Sequence, residues 1–288
     1  MKTACVLVLY DFSLETVESL ISSLSKQVEK IFLIDNSLRC SEEPFSQMSH
    51  VEYLWLGGNK GIAVAQNVGI RKSLDEGFDF LMFCDQDSKV PIGAVEKLAD
   101  TFYDLSSINI KVGAVGTRAV NSDTGIPYSY GISKIDRHKG SLYPLHVTEV
   151  TFVMNSISLF PVDFFRMVGL MDERLFIDGV DSEICWRARH DGGYRFFINE
   201  NVQIGHCLGL GLKKICGHYI SITPPNRIYY QYRNYLWLSR RKYVPRKWVI
   251  YNGIKYFIKL LYYPLVYSNR AFYLKNMIKG LHDGMAKY

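Results

Sequence analysis

The segment FDFLMFCDQD, residues 78–87, sets the architecture of this chain because an apolar run ends abruptly in two carboxylates. Phe78–Cys84 predicts a buried strand that stops at Asp85. Three similar apolar runs come earlier in the chain: Val6–Tyr10, Ile31–Ile34 and Val51–Leu56. Apolar residues with helical spacing occur between and after them, in Ser13–Ser25, Ile62–Leu74 and Val95–Leu105. This alternation predicts an α/β fold with a Rossmann-type, mostly parallel sheet and helices on both faces.

Polar residues directly follow three of the predicted strands. They are Asp35-Asn36, Gly58-Asn59 and Asp85-Gln86-Asp87. The carboxyl ends of parallel strands meet at one edge of a sheet, and ligands bind beyond that edge, so we expect the three clusters to line a common site. Each cluster alone is also typical of a solvated strand end, and the inference therefore depends on their coincidence.

Charge is divided unevenly along the 288 residues, although the net charge is only +6. Residues 226–288 hold 13 Lys and Arg and a single acid, Asp283, which leaves 21 Lys and Arg against 27 Asp and Glu in the rest of the chain. The same segment holds 16 Phe, Tyr and Trp residues. We therefore predict an α/β domain at residues 1–224 and a basic, aromatic, helical extension at residues 225–288.

Three partners fit this extension: the anionic headgroups of a membrane, a nucleic acid, or other protein chains. Asn252, Lys255 and Lys259 form one stripe of a predicted helix, Trp248–Tyr263, whose apolar and aromatic residues favour a membrane interface. The acidic body gives nucleic-acid binding little support, so no nucleic acid is expected. A helix packed on the body with a solvated basic face stays an alternative.

The expected compartment is the cytoplasm. The run from Ala4 to Tyr10 is too short for a signal peptide and is followed by Asp11. No run of about 18 residues lacks charge, so no membrane-spanning helix is expected. The six cysteines include no Cys-x-x-Cys pair, which favours free thiols in a reducing cytosol over a zinc site.

Asp85 and Asp87 are candidate ligands for one divalent cation. Carboxylate oxygens suit Mg²⁺ or Mn²⁺, whose coordination is completed by water and substrate phosphate. An ion held there would neutralise a diphosphate leaving group. His206 is a candidate third ligand through a neutral imidazole. A solvated turn is the alternative for the two acids, and a structural histidine is the alternative for His206.

A second acidic cluster, which contains Asp178, Asp181 and Glu183, precedes Cys185 and Arg187. A carboxylate at a helix start can accept a proton from a substrate hydroxyl, and it can equally serve to stabilise the helix N-terminus. Helical geometry directs Glu183 away from the face that carries Asp181. The chain has neither a Gly-x-Gly-x-x-Gly fingerprint nor a phosphate-binding P-loop, which disfavours dehydrogenases and P-loop enzymes.

Together these motifs resemble glycosyltransferase family 2, the inverting transferases of GT-A fold, over about residues 4–240. Within the family the chain is most similar to bacterial rhamnosyltransferases of polysaccharide and O-antigen assembly. Asp85-Gln86-Asp87-Ser88 is similar to the metal motif of those enzymes. The resemblance implies that Asp35 contacts the nucleoside, and that Asn59, Gly61 and Asn67 shape the nucleotide side of the pocket.

The resemblance also assigns roles to the acidic cluster. Many family members carry Glu-Asp-x-Asp before Leu-Cys-x-Arg, and alignment on Cys185 and Arg187 places Asp181 at the base position and Glu183 at the last acid. Val180 stands where the first Glu is found, which leaves open whether Asp178 shares the role. The acceptor-side candidates are Asn155, Ser156, Asp178, Glu183 and Arg187. The likeness around His206 supports its approach to the metal.

The resemblance implies transfer of a hexose, L-rhamnose from dTDP-rhamnose, to a glycan or a lipid-linked acceptor in cell-surface polysaccharide synthesis. The expected cofactor is Mg²⁺ or Mn²⁺, and the expected location is the inner face of the cell membrane as a peripheral protein. Two alternatives stay open. One is a family 2 transferase that uses a UDP-hexose, and the other is a non-enzymatic protein that binds a membrane surface.

Overall fold

The structure is a computed structural model that describes residues 1–121, 125, 127, 146–206, 212–215, 218–221, 223–267 and 269–286. Contacts group the described residues into two compact units. The first comprises Met1–Phe176 and Val180–His206, and the second comprises Ile177–Gly179 and Cys207–Tyr288. The sequence predicts a boundary after residue 224, whereas the contacts divide the chain after His206. The difference arises because the short strands that follow His206 pair with each other and not with the main sheet.

The first unit is built on a mixed sheet. Its described strands are β1 (Thr3–Leu9), β2 (Lys30–Asp35), β3 (Val51–Trp55), β4 (Phe80–Asp85), β5 (Val112–Asn121), β6 (Val147–Val150), β7 (Ser158–Pro161) and β8 (Arg195–His206). They form an eight-stranded sheet in the order β3-β2-β1-β4-β7-β5-β8-β6. The strand β1 lies parallel to both β2 and β4, and all seven of its residues are buried, as is typical of a central parallel strand. The predicted α/β fold with a mostly parallel sheet is confirmed.

Strand β7 makes the sheet mixed. It runs antiparallel to β4 on one side and to β5 on the other, and β6 runs antiparallel to β8. The run Thr148–Phe160 is apolar in sequence, but it is interrupted by Asn155-Ser156: its first residues lie in β6 at the edge of the sheet, and its last residues enter the sheet as β7. This insertion brings residues 155–158 beside the carboxyl end of β4.

Helices connect the strands of the first unit: α1 (Leu14–Leu24), α2 (Ile62–Asp75), α3 (Ala94–Ser107), α4 (Val162–Val168) and α5 (Val180–Gly192). Helix α1 buries apolar residues at helical spacing, as the sequence predicts. Helix α2 packs tightly on β1 because Gly69 lacks a side chain: a Cβ there would lie 2.2 Å from a methyl group of Val6. Helix α2 is thereby fixed above the central strands.

The second unit is mostly helical. Its described elements are an antiparallel pair, β9 (Leu212–Ile215) and β10 (His218–Ser221), and three helices, α6 (Pro225–Ser239), α7 (Arg246–Val266) and α8 (Arg270–Met285). Its buried core consists of Ile228, Tyr232, Tyr263, Tyr273 and Met277. The predicted helical extension is confirmed. Within the described part of the chain, no helix has the length and apolarity needed to cross a membrane.

Candidate active site

The carboxyl edge of β2, β1 and β4 gathers the polar residues that the sequence singles out. Asp35 is paired in register with Leu9 of β1, and Asp85 is paired with Val8 of the same strand. Asp35 and Asp85 therefore flank β1 with two strand spacings between them, about 10 Å. The expectation that the polar strand ends meet at one edge holds for these two acids.

Asp85, Gln86 and Asp87 form a turn that is tied to the end of β1. The side-chain amide of Gln86 bonds to the backbone of Tyr10 in both directions: the Tyr10 N–H donates to Oε1 at 2.7 Å, and Nε2 donates to the Tyr10 carbonyl at 3.0 Å. The Ser88 N–H closes the turn by donating to the Asp85 carbonyl at 3.0 Å. Asp85 is half-buried and Asp87 is exposed, so both carboxylates are accessible from solvent at the carboxyl edge of the sheet.

The donor set of this turn fits a hard divalent cation. Two carboxylates one residue apart supply oxygen ligands, and Mg²⁺ and Mn²⁺ sites commonly leave further positions to water and substrate phosphate. The neighbouring Cys84 is fully buried, and a hydrogen bond with Cys5 and burial raise the pKa of its thiol. Among the described side chains, no cluster of three or more His, Cys, Asp or Glu could hold a metal. The backbone of His206 ends β8 opposite Asn121, and its side chain lies outside the described part.

Asn155 and Ser156 lie beside the acidic turn. The hydroxyls of Ser156 and Ser88 are 2.7 Å apart, and the N–H of Ile157 donates to the carbonyl of Phe83 in β4 at 2.8 Å. Asn155 is buried; its Nδ2 donates to Oε1 of Gln66 at 3.0 Å, and its Oδ1 has no hydrogen-bond partner in the described structure. The structure thus brings the two acceptor-side candidates next to the predicted metal site.

Asp35 is fully buried, and both of its carboxylate oxygens accept hydrogen bonds. The Ser37 N–H donates to Oδ1 at 2.8 Å, and the Tyr53 hydroxyl donates to Oδ2. Burial and the bond to Asp35 raise the pKa of Tyr53, so the phenol is a neutral donor. Asp35 has no solvent-exposed surface, so a direct contact with a nucleoside would require the groups that cover it to move. Its geometry favours a role in positioning the loop that follows β2.

A cavity of about 500 Å³ opens beside that loop. Its lining residues are Asp11, Phe12, Leu14, Ser37, Leu38, Arg39, Ser41 and Pro44. The volume lies within the ordinary range of ligand pockets. Ser37 connects the cavity to the sheet edge, because its Oγ accepts from the Asp11 N–H at 3.0 Å and its carbonyl accepts from the Trp55 indole at 3.0 Å.

Asn59 and Gly61 shape the turn into α2. The Asn59 Oδ1 accepts from the Gly61 N–H at 3.0 Å and from Nδ2 of Asn36 at 3.2 Å. Gly61 has φ +89°, and a Cβ there would lie 2.6 Å from the ring of Phe176. The first N–H of α2, on Ile62, donates to the Phe176 carbonyl at 2.7 Å. Gly61 therefore permits a protein contact, and this helix N-terminus already has a partner among its N–H groups.

The side chain of Asn67 joins α2 to the loop after α4 by hydrogen bonds. It is buried; its Nδ2 donates to the Met171 carbonyl at 3.0 Å and to Glu173 Oε1 at 2.9 Å, and its Oδ1 accepts from the Met171 N–H at 2.9 Å. Both ends of the amide are thus committed to protein groups. Where the sequence indicates contact with the nucleotide, the structure gives Asn67 contacts that fix a loop.

Asp181 lies in the first turn of α5 and is half-buried. Its Oδ1 accepts from the Ser182 N–H at 2.9 Å, which orients the carboxylate at the helix start. The segment before it is conformationally unusual, since Phe176 and Asp178 have φ +64° and +65°. Such left-handed conformations in non-glycine residues cluster at functional sites. Asp181 is accordingly held by local backbone geometry.

Glu183 and Arg187 form a buried ion pair. The Glu183 side chain is 1% exposed, and its Oε1 accepts from Arg187 Nε at 2.9 Å. Arg187 also donates to the carbonyls of Val168 and Leu170 at 2.6 and 2.8 Å. These contacts occupy both side chains in joining α5 to the end of α4. The pair serves the structure, whereas the sequence suggests contact with an acceptor.

Asp178 belongs to the second unit. Arg227 donates to its carboxylate through Nε at 3.0 Å and Nη2 at 2.8 Å. The buried Asn234 donates to the carbonyls of Ile177 and Asp178 at 2.7 and 2.9 Å. Asn234 thereby fixes the strained segment 177–179.

The sequence alone does not predict the contacts that three residues make within the site: Tyr53, Gln66 and Phe176. Tyr53 and Gln66 act through partners distant in sequence, Asp35 and Asn155. Phe176 is 115 positions from Gly61, and no local pattern connects them. The only advance signal for Gln66 is its place in the helix that follows Asn59.

Known proteins with similar sequences are transferases. A sequence model described as "Glycosyl transferase family 2" matches residues 10–163. The chain is 31% identical over 287 residues to the dTDP-rhamnosyl transferase RfbF of Shigella flexneri, covering 97% of this chain and 94% of that protein. It is 25% identical over 202 residues to the low-salt glycan biosynthesis hexosyltransferase Agl10 of Haloferax volcanii, covering 67% and 61%.

Solved structures share the fold. The TM-score to S. aureus TarS 1-349 in complex with UDP-GlcNAc is 0.56 at 13% identity, covering 99% of this chain and 80% of that one. The TM-score to GalNAc-T7 with UDP, GalNAc and Mn²⁺ is also 0.56, at 15% identity, covering 80% of this chain and 47% of that one. At these identities the likeness concerns the fold alone, and it confirms the predicted GT-A-like architecture.

Proposed function

The chain belongs to glycosyltransferase family 2, and we propose that it transfers L-rhamnose from dTDP-L-rhamnose to a lipid-linked glycan with inversion at the anomeric carbon. The observation that carries this proposal is the acidic turn at the carboxyl edge. Gln86 ties the turn to β1, and Asp85 stands about 10 Å from Asp35 across that strand. This edge can hold the two ends of a nucleoside diphosphate.

We assign the nucleoside to the cavity beside β2 and the diphosphate to the acidic turn. Asp35 and Tyr53 position the loop that carries Ser37, and Ser37 lines the cavity. Asp85 and Asp87 hold Mg²⁺ or Mn²⁺, which supplies Lewis-acid neutralisation of the leaving diphosphate when bound. The same proposal includes His206 as a third ligand of the ion.

Asp181 is the proposed general base. Its carboxylate takes the proton from the acceptor hydroxyl, whose oxygen forms a bond to the anomeric carbon while the bond from that carbon to the diphosphate breaks. The nucleotide diphosphate leaves from the opposite face, so the anomeric configuration inverts. The fixed N-terminal position of Asp181 on α5 suits this role.

The donor assignment draws on the relative of Shigella flexneri, whose name states a dTDP-rhamnosyl transferase and whose likeness extends over 97% of this chain. The likeness of Asp85-Gln86-Asp87-Ser88 to the metal motif of rhamnosyltransferases supports the same donor. Ser88 is buried and pairs with Ser156, which connects the metal turn to the segment where donor and acceptor would meet.

We further propose that the protein works as a peripheral protein on an anionic membrane surface, at its cytoplasmic face. Helix α7 supports this because one of its faces exposes large apolar side chains, each more than half accessible: Ile250, Ile254, Phe257, Ile258, Leu261 and Leu265. At 100° per residue they span an arc of about 100°, as in helices that lie in a membrane interface. A solvated basic face would have shown the opposite pattern.

A transfer assay tests the function. The purified protein is incubated with radiolabelled dTDP-L-rhamnose, Mg²⁺ or Mn²⁺ and a lipid extract from membranes of the producing cells, with Asp181→Asn as the matched control. We expect label in the lipid fraction for the wild type only, and an anomeric configuration opposite to that of the donor by NMR. Label delivered only from UDP-hexoses, or retention of configuration, would contradict the proposal.

A further inference from the structure

Lysines in the second unit lie in an unusual place on α7. Lys255 and Lys259 are one helical turn apart and half-buried. By helical geometry they follow one edge of the exposed apolar arc, between that arc and the buried Asn252 and Tyr263. When the apolar face of α7 enters a membrane surface, lysine side chains at this edge of the helix can extend to the level of the lipid headgroups.

Neither lysine has an ion-pair partner among the described residues. Lys259 Nζ donates to Thr223 Oγ1 and to Gln231 Oε1, both at a long 3.3 Å. Lys255 Nζ lies over the ring of Tyr256, 5.1 Å from its centroid. These direct partners are neutral, so neither ammonium group touches a carboxylate among the described residues, which is a costly arrangement for half-buried groups.

Acidic residues are almost missing from this part of the sequence. Residues 177–179 and 207–288 contain only Asp178 and Asp283. Asp283 accepts a hydrogen bond from the Tyr229 hydroxyl at 2.8 Å, and Asp178 is engaged by Arg227. The carboxylate of Asp178 is bound by Arg227, and its charge offsets those of Lys255 and Lys259 only in part, since the pKa of each lysine stays lowered.

Burial lowers the pKa of Lys259 to about 8, and the neighbouring charges of Lys255 and Arg227 act in the same direction against the opposing effect of Asp178. Burial also lowers the pKa of Lys255. Like charges one turn apart destabilise a helix. A cluster of this kind is costly in the free protein and becomes favourable when an anion binds, because charge-assisted hydrogen bonds then form.

We infer that Lys255 and Lys259 bind the diphosphate of a lipid-anchored sugar diphosphate while the apolar face of α7 contacts the bilayer. This inference rests on the proposed transfer to a lipid-linked acceptor. The lysines suit two phosphoryl groups because residues one turn apart have Cβ atoms about 5–6 Å apart. We assign a lipid-anchored diphosphate rather than a free one, because the exposed apolar arc adjoins the lysines.

Vesicle flotation tests the site. Phosphatidylcholine vesicles carry either a long-chain polyprenyl diphosphate or phosphatidylglycerol at equal total charge. The variant K255Q/K259Q is compared with K275Q/K279Q, which removes an equally spaced pair of exposed lysines from α8. We expect K255Q/K259Q to bind the diphosphate vesicles about tenfold more weakly or worse, and the control to change less than about twofold.

Further measurements keep the result interpretable. K255R/K259R retains both charges and should keep most of the binding, which separates charge from folding defects. Equal losses in the two glutamine variants would overturn the site, and so would full competition by inorganic pyrophosphate, which would mean a free diphosphate ligand. Thermal stabilisation by dTDP-L-rhamnose should be unchanged in K255Q/K259Q. A wild type that floats with the diphosphate vesicles but binds no donor would contradict the proposed function alone.

Discussion

The side-chain amide of Gln86 forms two hydrogen bonds with the backbone of Tyr10: its Oε1 accepts from the N–H at 2.7 Å, and its Nε2 donates to the carbonyl at 3.0 Å. The contact joins the centre of the acidic turn to the residue that follows the central strand. Because the two bonds fix both the position and the rotation of the turn, Asp85 and Asp87 are oriented by a residue that need not touch the ligand itself.

Gln86→Ala should therefore weaken metal-dependent donor binding by about tenfold, because the loss of one positioning contact misplaces both carboxylates. The melting temperature should change little, since the turn is at the surface. Isothermal titration of dTDP with Mg²⁺ measures the effect. Gln27→Ala is the control, because Gln27 also bonds to backbone groups, of Ser23 and Val95, but follows α1 and precedes β2. Equal affinities in both variants would contradict the positioning role.

Asp181→Asn should retain the fold and donor binding but lose turnover by about 10² to 10⁴-fold, the contribution of a general base. The substitution keeps the shape of the side chain and its acceptor oxygen for the Ser182 N–H. Turnover and donor affinity are measured on the same preparation. Unchanged turnover would remove Asp181 as the base.

Glu183→Ala should lower the free energy of unfolding by about 3 kcal/mol, because it leaves the charge of Arg187 without its partner in a buried site. Urea denaturation measures the change, with Asp181→Asn as a neighbouring control that should stay close to the wild type. Equal stability of Glu183→Ala and the wild type would contradict the structural assignment and restore Glu183 as a candidate for contact with substrate.

Lys259 should make stability rise with pH in the alkaline range. Its pKa is lowered from 10.5 to about 8 in the folded chain, so between these values the unfolded chain binds a proton that the folded chain has released. The cost of the buried charge is present in full below about pH 8 and is relieved as pH rises toward 10.5. Unfolding free energies at about pH 7 and pH 10 should thus differ more in the wild type than in Lys259→Met. Lys275→Met, an exposed change on α8, should show the same pH dependence of stability as the wild type. If Lys259→Met also showed the pH dependence of the wild type, the assignment of the effect to Lys259 would be contradicted.

The sequence predicted the first half of the sheet well because each strand there is a mainly apolar run that ends in polar residues. β4 and its turn are the clearest case, with Phe78–Cys84 predicted and Phe80–Asp85 found. The antiparallel β7 could not be placed, since its position between β4 and β5 depends on long-range pairing. Local spacing gives no information on such pairing.

The ligand roles of the site residues stay predictions, although the structure places Ser156 against Ser88 of the acidic turn. Asn67 and Gly61 instead fill structural roles, because their partners, Met171 and Phe176, are more than a hundred positions away. A motif records which residues a site needs, but it does not distinguish ligand contacts from the packing that supports them.

Thermal stabilisation by the donor tests the central claim most directly. The wild type and Asp87→Ala are heated with dTDP-L-rhamnose or UDP-glucose, with and without Mn²⁺ or Mg²⁺. A ligand that binds the folded state raises the melting temperature by mass action. We predict a metal-dependent rise for the wild type that is larger with dTDP-L-rhamnose and is lost in Asp87→Ala. A larger rise with UDP-glucose would contradict the donor assignment, and an equal rise in both proteins without metal would contradict the role of the acidic turn.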